Sequence, residues 1–286
     1  LFWNREMVRL TGDAKHSDLF EWQLYNAALV GMGVDGTNYF YNNPLESDGG
    51  IERRAWYEVP CCPSNLSRTF ARLNQEVVSI NQGEISIYQY ISSKHRVQIW
   101  QQDVTLEIDS QFPWSGEVEI NIRNAPQGKT RLKLRKPSWA TDFVISLNGE
   151  VLQSINTPLR KTLDPTQAGW SEFDRQWKDG DRLTLAFDFP VQVWSADQHV
   201  SGVRGKAALV CGPLIYCLES VDNPDVDIIK VILDLDTIES SFDPDLLGGC
   251  RIIKATSIEG QPLTFIPYFL WGNRGKSEMA VFVRLE

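Results

Sequence analysis

The sequence predicts a mixed, mainly β fold in which helices are confined to the first part of the chain. Residues 1–33 and 66–78 carry apolar side chains at helical spacing. Thr11-Gly-Asp13 is expected to break the first of these helical stretches, and Ser17 or Asp18 to start the next helix. After residue 78 the chain consists of short, largely alternating segments separated by clusters of Gly, Pro, Asn and Asp. Asn148-Gly149 joins two of these segments and is a strong hairpin signal. Short strands at this spacing favour antiparallel β-sandwiches.

The predicted strands fall into two blocks, with a boundary near Val191. They are 84–90, 97–100, 104–108, 116–122, 130–134, 143–147, 151–152, 183–189, 207–218, 228–235, 250–255 and 280–285. Gly212-Pro213 divides the most apolar run into two strands, and Cys211 and Cys217 read as buried strand residues. The predicted organisation is therefore a helical part (1–78) followed by two all-β parts (79–190 and 191–286).

Composition narrows the classes of partner. The 286 residues are 42% hydrophobic, and no apolar run approaches the length of a membrane span. A net charge of −9 argues against a nucleic-acid backbone as the main partner. Five cysteines form no dense framework, which argues against a disulfide scaffold. Because the sequence begins with Leu and reads as mid-helix there, we expect it to be part of a longer protein, and the compartment stays undecided.

The stretch that could carry chemistry is an adjacent pair of cysteines, Cys61 and Cys62, flanked by two prolines. The prolines restrict the backbone on both sides of the thiols. Ser64 or Asn65 is expected to cap a helix over 66–78. The cysteines would then lie on a stiff turn at a helix N-terminus, where the helix dipole favours a thiolate.

Several interpretations of this cysteine pair stay open on spacing alone. Neighbouring Cα atoms lie about 3.8 Å apart, which is below the usual separation in a disulfide. The two sulfurs could instead bind one metal ion, or one of them could be a nucleophile. Both could also be small apolar side chains in a core. Two ligands do not complete a zinc site, which normally takes four.

Other candidate groups are sparse. By pattern, Glu21 reads as a solvated helical charge and Tyr41 as a packing residue in a short aromatic segment. The three histidines are scattered without metal-binding spacing, and neither a dinucleotide fingerprint nor a Gly-x-Ser-x-Gly elbow occurs. Any catalysis would have to centre on Cys61 and Cys62.

A series of short motifs, in this order along the whole chain, resembles glycoside hydrolase family 127, the β-L-arabinofuranosidases. The motifs are Glu21-x-x-x-Tyr25-Asn26, Asp35-Gly36, Phe40-Tyr-Asn-Asn-Pro-Leu-Glu46, Cys61-Cys-Pro-Ser-Asn65, Gly180-Asp-Arg-Leu183, Cys211-Gly-Pro-Leu-Ile-Tyr-Cys-Leu-Glu219, and Ile266-Pro-Tyr268 with Trp271-Gly-Asn-Arg-Gly275. The Cys-Cys-Pro motif is the most specific of them.

The resemblance implies the C-terminal end of an (α/α)6 barrel followed by two antiparallel β-sandwich domains. It implies a retaining exo-glycosidase acting on a glycoside or oligosaccharide that carries β-L-arabinofuranosyl or related plant sugars. Cys61 would be the nucleophile and a zinc ligand, Cys62 a second zinc ligand, and Glu21 and Tyr41 sugar-contacting residues. The family's acid/base Glu and its remaining zinc ligands have no counterpart in this sequence. We therefore expect an incomplete zinc site and no activity from this chain alone, with assembly into a homo-oligomer left open.

Two interpretations from other functional classes remain. One is a non-catalytic carbohydrate-binding or scaffolding protein, in which the cysteine pair is structural and residues 79–286 alone keep affinity for glycans. The other is a thiol-redox or metal-storage role for the cysteine pair.

Overall fold

The computed structural model describes residues 1–159 and 161–285, and most of its regular structure is β-strand. The described part contains three α-helices: α1 (Phe2–Thr11), α2 (Ala14–Gln23) and α3 (Cys61–Arg72). A π-helical turn (Leu24–Ala28) continues α2, and a 3-10 turn (Leu73–Glu76) follows α3. None of the described helices has the length and apolar character needed to cross a membrane.

The break between the first two helices is confirmed, although α2 begins earlier than predicted. Gly12 ends α1 with a φ of 70°, a left-handed conformation that glycine adopts without steric penalty. The predicted start at Ser17 or Asp18 is late, because Asp13 already acts as a cap. Its Oδ1 accepts a hydrogen bond from the Lys15 amide at 3.0 Å.

The third helix also begins earlier than predicted, at Cys61 rather than after Ser64 or Asn65. The Ser64 amide donates to the Pro60 carbonyl at 3.2 Å, and the Asn65 side chain donates to the Cys61 carbonyl at 2.7 Å. A proline is tolerated within the first helical turn because the amide it lacks has no helical partner there. Both cysteines are therefore in the first turn of α3 itself.

The strands of the described residues, in chain order, are β1 (Glu46–Asp48), β2 (Val78–Asn81), β3 (Glu84–Ile87), β4 (Ser93–Ile99), β5 (Gln102–Ser110), β6 (Glu117–Arg123), β7 (Lys129–Lys136), β8 (Asp142–Leu147), β9 (Glu150–Asn156), β10 (Gly169–Gln176), β11 (Arg182–Phe187), β12 (Val191–Ser195), β13 (Lys206–Cys211), β14 (Leu214–Glu219), β15 (Leu233–Asp243), β16 (Cys250–Ser257), β17 (Pro262–Pro267), β18 (Glu278–Ala280) and β19 (Val283–Arg284). A mainly β fold is thus confirmed.

The chain is organised in two compact units. Unit 1 comprises Leu1–Glu21, Thr69–Leu159 and Asp164–Phe189. Unit 2 is formed mostly by Trp22–Arg68 together with the chain from Pro190 onward. The segment that carries the two cysteines is therefore part of the same unit as the C-terminal strands.

Unit 1 contains two sheets. One has the strand order β10-β7-β3-β2, in which β3 and β7 are parallel, and the other is the antiparallel sheet β4-β5-β6-β11-β8-β9. The predicted Asn148-Gly149 hairpin joins β8 to β9, with positive φ at both turn residues. Alternate strand residues are buried, and Phe143 stacks on Phe187 with ring centroids 4.6 Å apart. Burial of these apolar side chains stabilises the unit.

Unit 2 is built on one sheet with the strand order β1-β18-β14-β17-β16-β15, extended by β12, β13 and β19. β1 comes from the cysteine-bearing segment and pairs with β18, with Ser47 opposite Met279. Cys211 and Cys217 are buried in β13 and β14, which confirms their interpretation as strand residues. Backbone pairing thus joins the segment before α3 to the C-terminal sheet.

Several strand predictions differ from the structure. The strand predicted over 228–235 begins only at Leu233, because the buried Ile228 is contributed by a turn. Five of the described strands lie outside the predicted ranges, namely β1, β2, β10, β12 and β17. The barrel-plus-sandwich arrangement and the domain boundaries at 78/79 and 190/191 stay predictions.

Candidate functional site

Unit 2 brings together three of the four predicted site residues. The sulfurs of Cys61 and Cys62 are 3.7 Å apart, and the Tyr41 hydroxyl lies 3.4 Å from the Cys61 sulfur. Cys61 is exposed and Cys62 half-buried, and the five cysteines of the chain form no disulfide. Tyr41, predicted by pattern to be a packing residue, is 42% exposed, so its ring is accessible beside the thiols.

Tyr41 is held in place by a second tyrosine. Its main-chain amide donates to the Tyr57 hydroxyl at 3.1 Å, and that hydroxyl donates to the Tyr39 carbonyl at 3.0 Å. The Tyr41 and Tyr57 rings also lie against each other, with centroids 5.3 Å apart. Reciprocal main-chain hydrogen bonds between Tyr39 and Arg54, at 2.8 and 2.9 Å, fix the other side of this aromatic segment.

The two thiols have different electrostatic surroundings. The hydrogen bond from Tyr41, followed by that from Cys62, lowers the pKa of the Cys61 thiol. Partial burial raises the pKa of the Cys62 thiol, and its hydrogen bond with Cys61 raises it further. Both thiols lie in the first turn of α3, where the helix dipole favours negative charge. Cys61 is therefore the more acidic and more accessible of the two.

The cysteine pair fits one half of a zinc site. Two thiolates bound to one tetrahedral zinc ion, each about 2.3 Å from it, would have sulfurs roughly 3.8 Å apart. The separation of 3.7 Å between the Cys61 and Cys62 sulfurs agrees with this arrangement. Across residues 1–159 and 161–285, no group of three or more His, Cys, Asp or Glu side chains is arranged to hold a metal ion. The donors that the described residues bring together here are therefore two soft thiols.

The fourth predicted residue, Glu21, belongs to unit 1 and is buried. Its exposed fraction is 1%, so the solvated charge suggested by helical pattern is wrong. One carboxylate oxygen accepts from a guanidinium nitrogen of Arg135, and the other accepts from Trp139 Nε1 at 2.8 Å. Both oxygens of Glu21 are thus engaged within unit 1, and its contact with a sugar stays a prediction.

Arg135 also binds a second carboxylate. It donates to Asp18 at 2.9 Å, and Asp18 accepts further hydrogen bonds from the Ser138 amide and hydroxyl, at 2.9 and 2.6 Å. Burial raises the pKa of both Asp18 and Glu21, against the opposing attraction of Arg135. The guanidinium of Arg135 therefore holds two acidic side chains of α2 against β7 and the residues that follow it.

Comparison with known proteins identifies the protein family of this chain. The model of the GH127 catalytic domain of beta-L-arabinofuranosidase matches residues 1–75, that of the GH127 middle domain matches 84–189, and that of the glycoside hydrolase family 127 C-terminal domain matches 191–284. Together they follow the chain almost from end to end. The chain belongs to glycoside hydrolase family 127. It carries matches to all three of the family's domain models in order.

Individual relatives of this family agree in sequence and in fold. A non-reducing end beta-L-arabinofuranosidase of Bifidobacterium longum subsp. longum is 26% identical over 322 residues, covering 98% of this chain and 47% of that protein. The crystal structure of Ara127N-Se, a GH127 beta-L-arabinofuranosidase of Geobacillus stearothermophilus T6, is 30% identical with a TM-score of 0.87, covering 99% of this chain and 48% of that one. The GH127 beta-arabinofuranosidase BT3674 is 27% identical at the same TM-score and the same coverage of each chain. This chain spans about half the length of these relatives.

Sequence reasoning missed the residues that support the thiols. Tyr57 and Arg53 contact the 39–41 segment, and Trp271 packs on Phe40 from the C-terminal part of the same unit. The aromatic residues 39–41 and 56–57 are visible in the sequence, but the pattern of residues 39–41 indicates only packing and that of 56–57 indicates no role. Nothing in the sequence pattern links those residues to Trp271.

Proposed function

We propose that this chain is part of a retaining exo-glycosidase that hydrolyses β-L-arabinofuranosides or related plant sugars through a cysteine nucleophile. The observation that carries the proposal is the accessible thiol of Cys61 at the start of α3, with the Tyr41 hydroxyl 3.4 Å from its sulfur. Membership of family 127 and the activity for which its relatives are named point to the substrate class.

In the proposed reaction, the Cys61 thiolate attacks the anomeric carbon of the sugar, and the bond to the leaving group breaks. A protonated acid on another part of the full-length protein donates its proton to the departing oxygen. Water, deprotonated by the same group, then cleaves the thioglycosyl bond and regenerates the thiolate. Two successive displacements at the anomeric carbon give retention of configuration. No residue of this chain is assigned the acid/base role.

Tyr41 contributes in two ways under this proposal. Its hydroxyl stabilises negative charge on the Cys61 sulfur, which favours the reactive thiolate. Its exposed ring supplies a surface on which a sugar can pack beside the nucleophile. The first role depends on the hydroxyl staying within hydrogen-bonding distance of the sulfur.

Cys61 and Cys62 would also hold a zinc ion, with the remaining ligands supplied from outside this chain. Zinc, when bound, keeps its thiolate ligands deprotonated at neutral pH. The residues of this chain orient the two sulfurs through the first turn of α3 and the Tyr41 contact. An (α/α)6 barrel completed by the rest of the full-length protein, followed by two β-sandwiches, is the architecture proposed around this site.

The test is hydrolysis of an aryl β-L-arabinofuranoside by the full-length protein and by its Cys61→Ser variant. We expect turnover by the wild-type protein and loss of about a thousandfold or more in the variant, because a serine hydroxyl is a far weaker nucleophile at neutral pH. The control is Cys250→Ala, which changes a buried strand cysteine and should keep activity. Unchanged hydrolysis by Cys61→Ser would refute the proposal.

A further inference from the structure

Arg53 is a half-buried cation whose hydrogen-bond acceptors are main-chain carbonyls. It donates to Val30 O at 3.0 Å, to Trp271 O at 2.9 Å and, more weakly, to Phe269 O at 3.4 Å. Desolvation lowers the pKa of Arg53 to about 10, so it stays charged at neutral pH. Burying a cation is unfavourable unless its donors are satisfied. The three carbonyls engage both terminal nitrogens of the guanidinium, whereas its buried Nε has no hydrogen-bond partner among the described residues. This arginine therefore ties the segment before α3 to the chain that follows β17.

The same guanidinium packs on Phe40, the residue before Tyr41. The Arg53 Cζ atom is 4.2 Å from the centroid of the Phe40 ring, and that ring also stacks on Trp271 with centroids 4.5 Å apart. Phe40 and Trp271 are 1% and 0% exposed. A Cβ atom at Gly272, where φ is +66°, would come within 2.5 Å of the Phe40 ring, so the backbone approaches the ring closely there. Phe40 therefore has little freedom to move.

The Trp271–Gly272 turn is itself fixed by a buried carboxylate. Glu219 accepts hydrogen bonds from the Gly272 amide at 2.9 Å, from Ser277 Oγ at 2.5 Å and from Arg274 Nη2 at 2.7 Å. Arg274 also pairs with Asp222 at 2.5 Å. A buried carboxylate with three donors of this kind is a rigid anchor. The surface on which Phe40 packs is thus fixed from the C-terminal sheet.

We propose that Arg53 is a positioning residue for the Cys61 site. It holds Phe40 against Trp271, and because Tyr41 is the next residue, it thereby sets the Tyr41 hydroxyl beside the Cys61 sulfur. The effect of this role on catalysis rests on the proposed function, whereas the placement of Tyr41 by Arg53 does not. Lysine could not replace arginine here, since only the planar guanidinium can bond several carbonyls and stack on a ring at the same time.

The test is a double-mutant cycle on the alkylation rate of Cys61. The full-length protein, with Cys62→Ser in every variant and a chelator present, is treated with iodoacetamide at one fixed pH, and labelling of Cys61 is followed by peptide mass spectrometry. The variants are Tyr41→Phe, Arg53→Gln, Arg53→Lys and the double variant Tyr41→Phe/Arg53→Gln. Arg251→Gln is the matched control, since it removes another arginine of unit 2, bonded to Ser240 on β15.

We expect Tyr41→Phe and Arg53→Gln each to slow alkylation by roughly three- to tenfold, the size expected for losing one hydrogen bond to the sulfur. The double variant should be no slower than Tyr41→Phe alone, because both changes remove the same contact. Arg53→Lys should slow the reaction as Arg53→Gln does, and Arg251→Gln should leave it unchanged.

Two results would overturn the proposal: an unchanged rate in Arg53→Lys, or a double variant slowed by the product of the two single effects. Circular dichroism identifies any variant that fails to fold, and Arg53→Lys, the milder change, then decides the outcome. The alkylation rate requires neither substrate nor metal. The prediction for Arg53 can therefore be contradicted even if the protein hydrolyses arabinofuranosides. It can equally be confirmed if no hydrolysis is ever observed.

Discussion

The Tyr41 hydroxyl lies 3.4 Å from the sulfur of Cys61, although twenty residues of chain separate the two. Tyr41 lies at a bend in the aromatic segment 39–41, and Cys61 begins α3. Their contact joins a hydrogen-bond donor to the more acidic of two adjacent thiols. This pair is the part of the site in which the chain's own residues determine reactivity.

Removing that hydroxyl should change the titration of the thiol. Since the Tyr41 hydrogen bond is the largest influence lowering the pKa of Cys61, Tyr41→Phe should raise that pKa. The measurement is the ultraviolet absorbance of the thiolate against pH, in metal-free protein carrying Cys62→Ser. Tyr88→Phe, a change on the other unit, serves as the control and should leave the curve in place. A pKa that stays fixed or falls in Tyr41→Phe would show that the contact does not act on the sulfur.

The buried arginine of unit 1 should be essential for stability. Arg135→Met would leave the carboxylates of Asp18 and Glu21 buried without their shared cation. Breaking a buried ion pair in this way costs about 3–5 kcal/mol of the free energy of unfolding. Arg131→Met, on the same strand, is the control, because its guanidinium is 49% exposed and its ion pairs are 3.8 Å or longer. Urea denaturation measures the free energy of unfolding of both variants. An equal decrease in the two would contradict the role given to Arg135.

The free energy of unfolding should also depend on pH through the buried group formed by Asp18, Glu21 and Arg135. Burial raises the folded-state pKa of Asp18 and Glu21, so the folded protein holds protons that the unfolded chain has already lost. The free energy of unfolding should therefore fall as pH rises from the unfolded-state pKa values, about 4, toward the raised folded-state values. Glu21→Gln removes one of the two titrating groups and should flatten this dependence, measured by urea denaturation at several pH values. Asp174→Asn, an exposed control on β10, should not flatten it. A slope in Glu21→Gln as steep as in wild type would contradict the assignment.

A single asparagine should hold the turn after α2 to the C-terminal sheet of unit 2. Asn26 donates to Pro213 O and accepts from the Ile215 amide, both at 2.8 Å. Asn26→Ala would leave these two main-chain groups unpaired and should lower the free energy of unfolding by about 1–3 kcal/mol. Asn43→Ala, whose hydrogen bond is 3.4 Å long and exposed, should change it by less than about 0.5 kcal/mol. Thermal denaturation measures the loss of free energy of unfolding in each variant. Similar losses in the two would argue against a specific role for Asn26.

The sequence predicted those features whose causes are local. Alternation of apolar residues predicted most strands, and local residue types identified the break at Thr11-Gly-Asp13 and the hairpin at Asn148-Gly149, where Gly12, Asn148 and Gly149 have positive φ. The adjacent cysteines were identified from their covalent neighbourhood, as was their place at a helix start. Glu21 was misjudged by pattern, because the group that buries it, Arg135, is more than one hundred residues away along the chain. The contact of Phe40 with Trp271 was invisible for the same reason, since long-range packing leaves no periodic signal.

The most direct test of the central claim is to find the sugar on Cys61. The full-length protein would be mixed with an aryl β-L-arabinofuranoside, quenched in acid during turnover, digested and mapped by mass spectrometry. We predict a peptide carrying Cys61 with the added mass of one pentosyl group, absent in Cys61→Ser. Turnover with no adduct on Cys61, or with the pentosyl group on a carboxylate, would contradict a cysteine nucleophile in this protein.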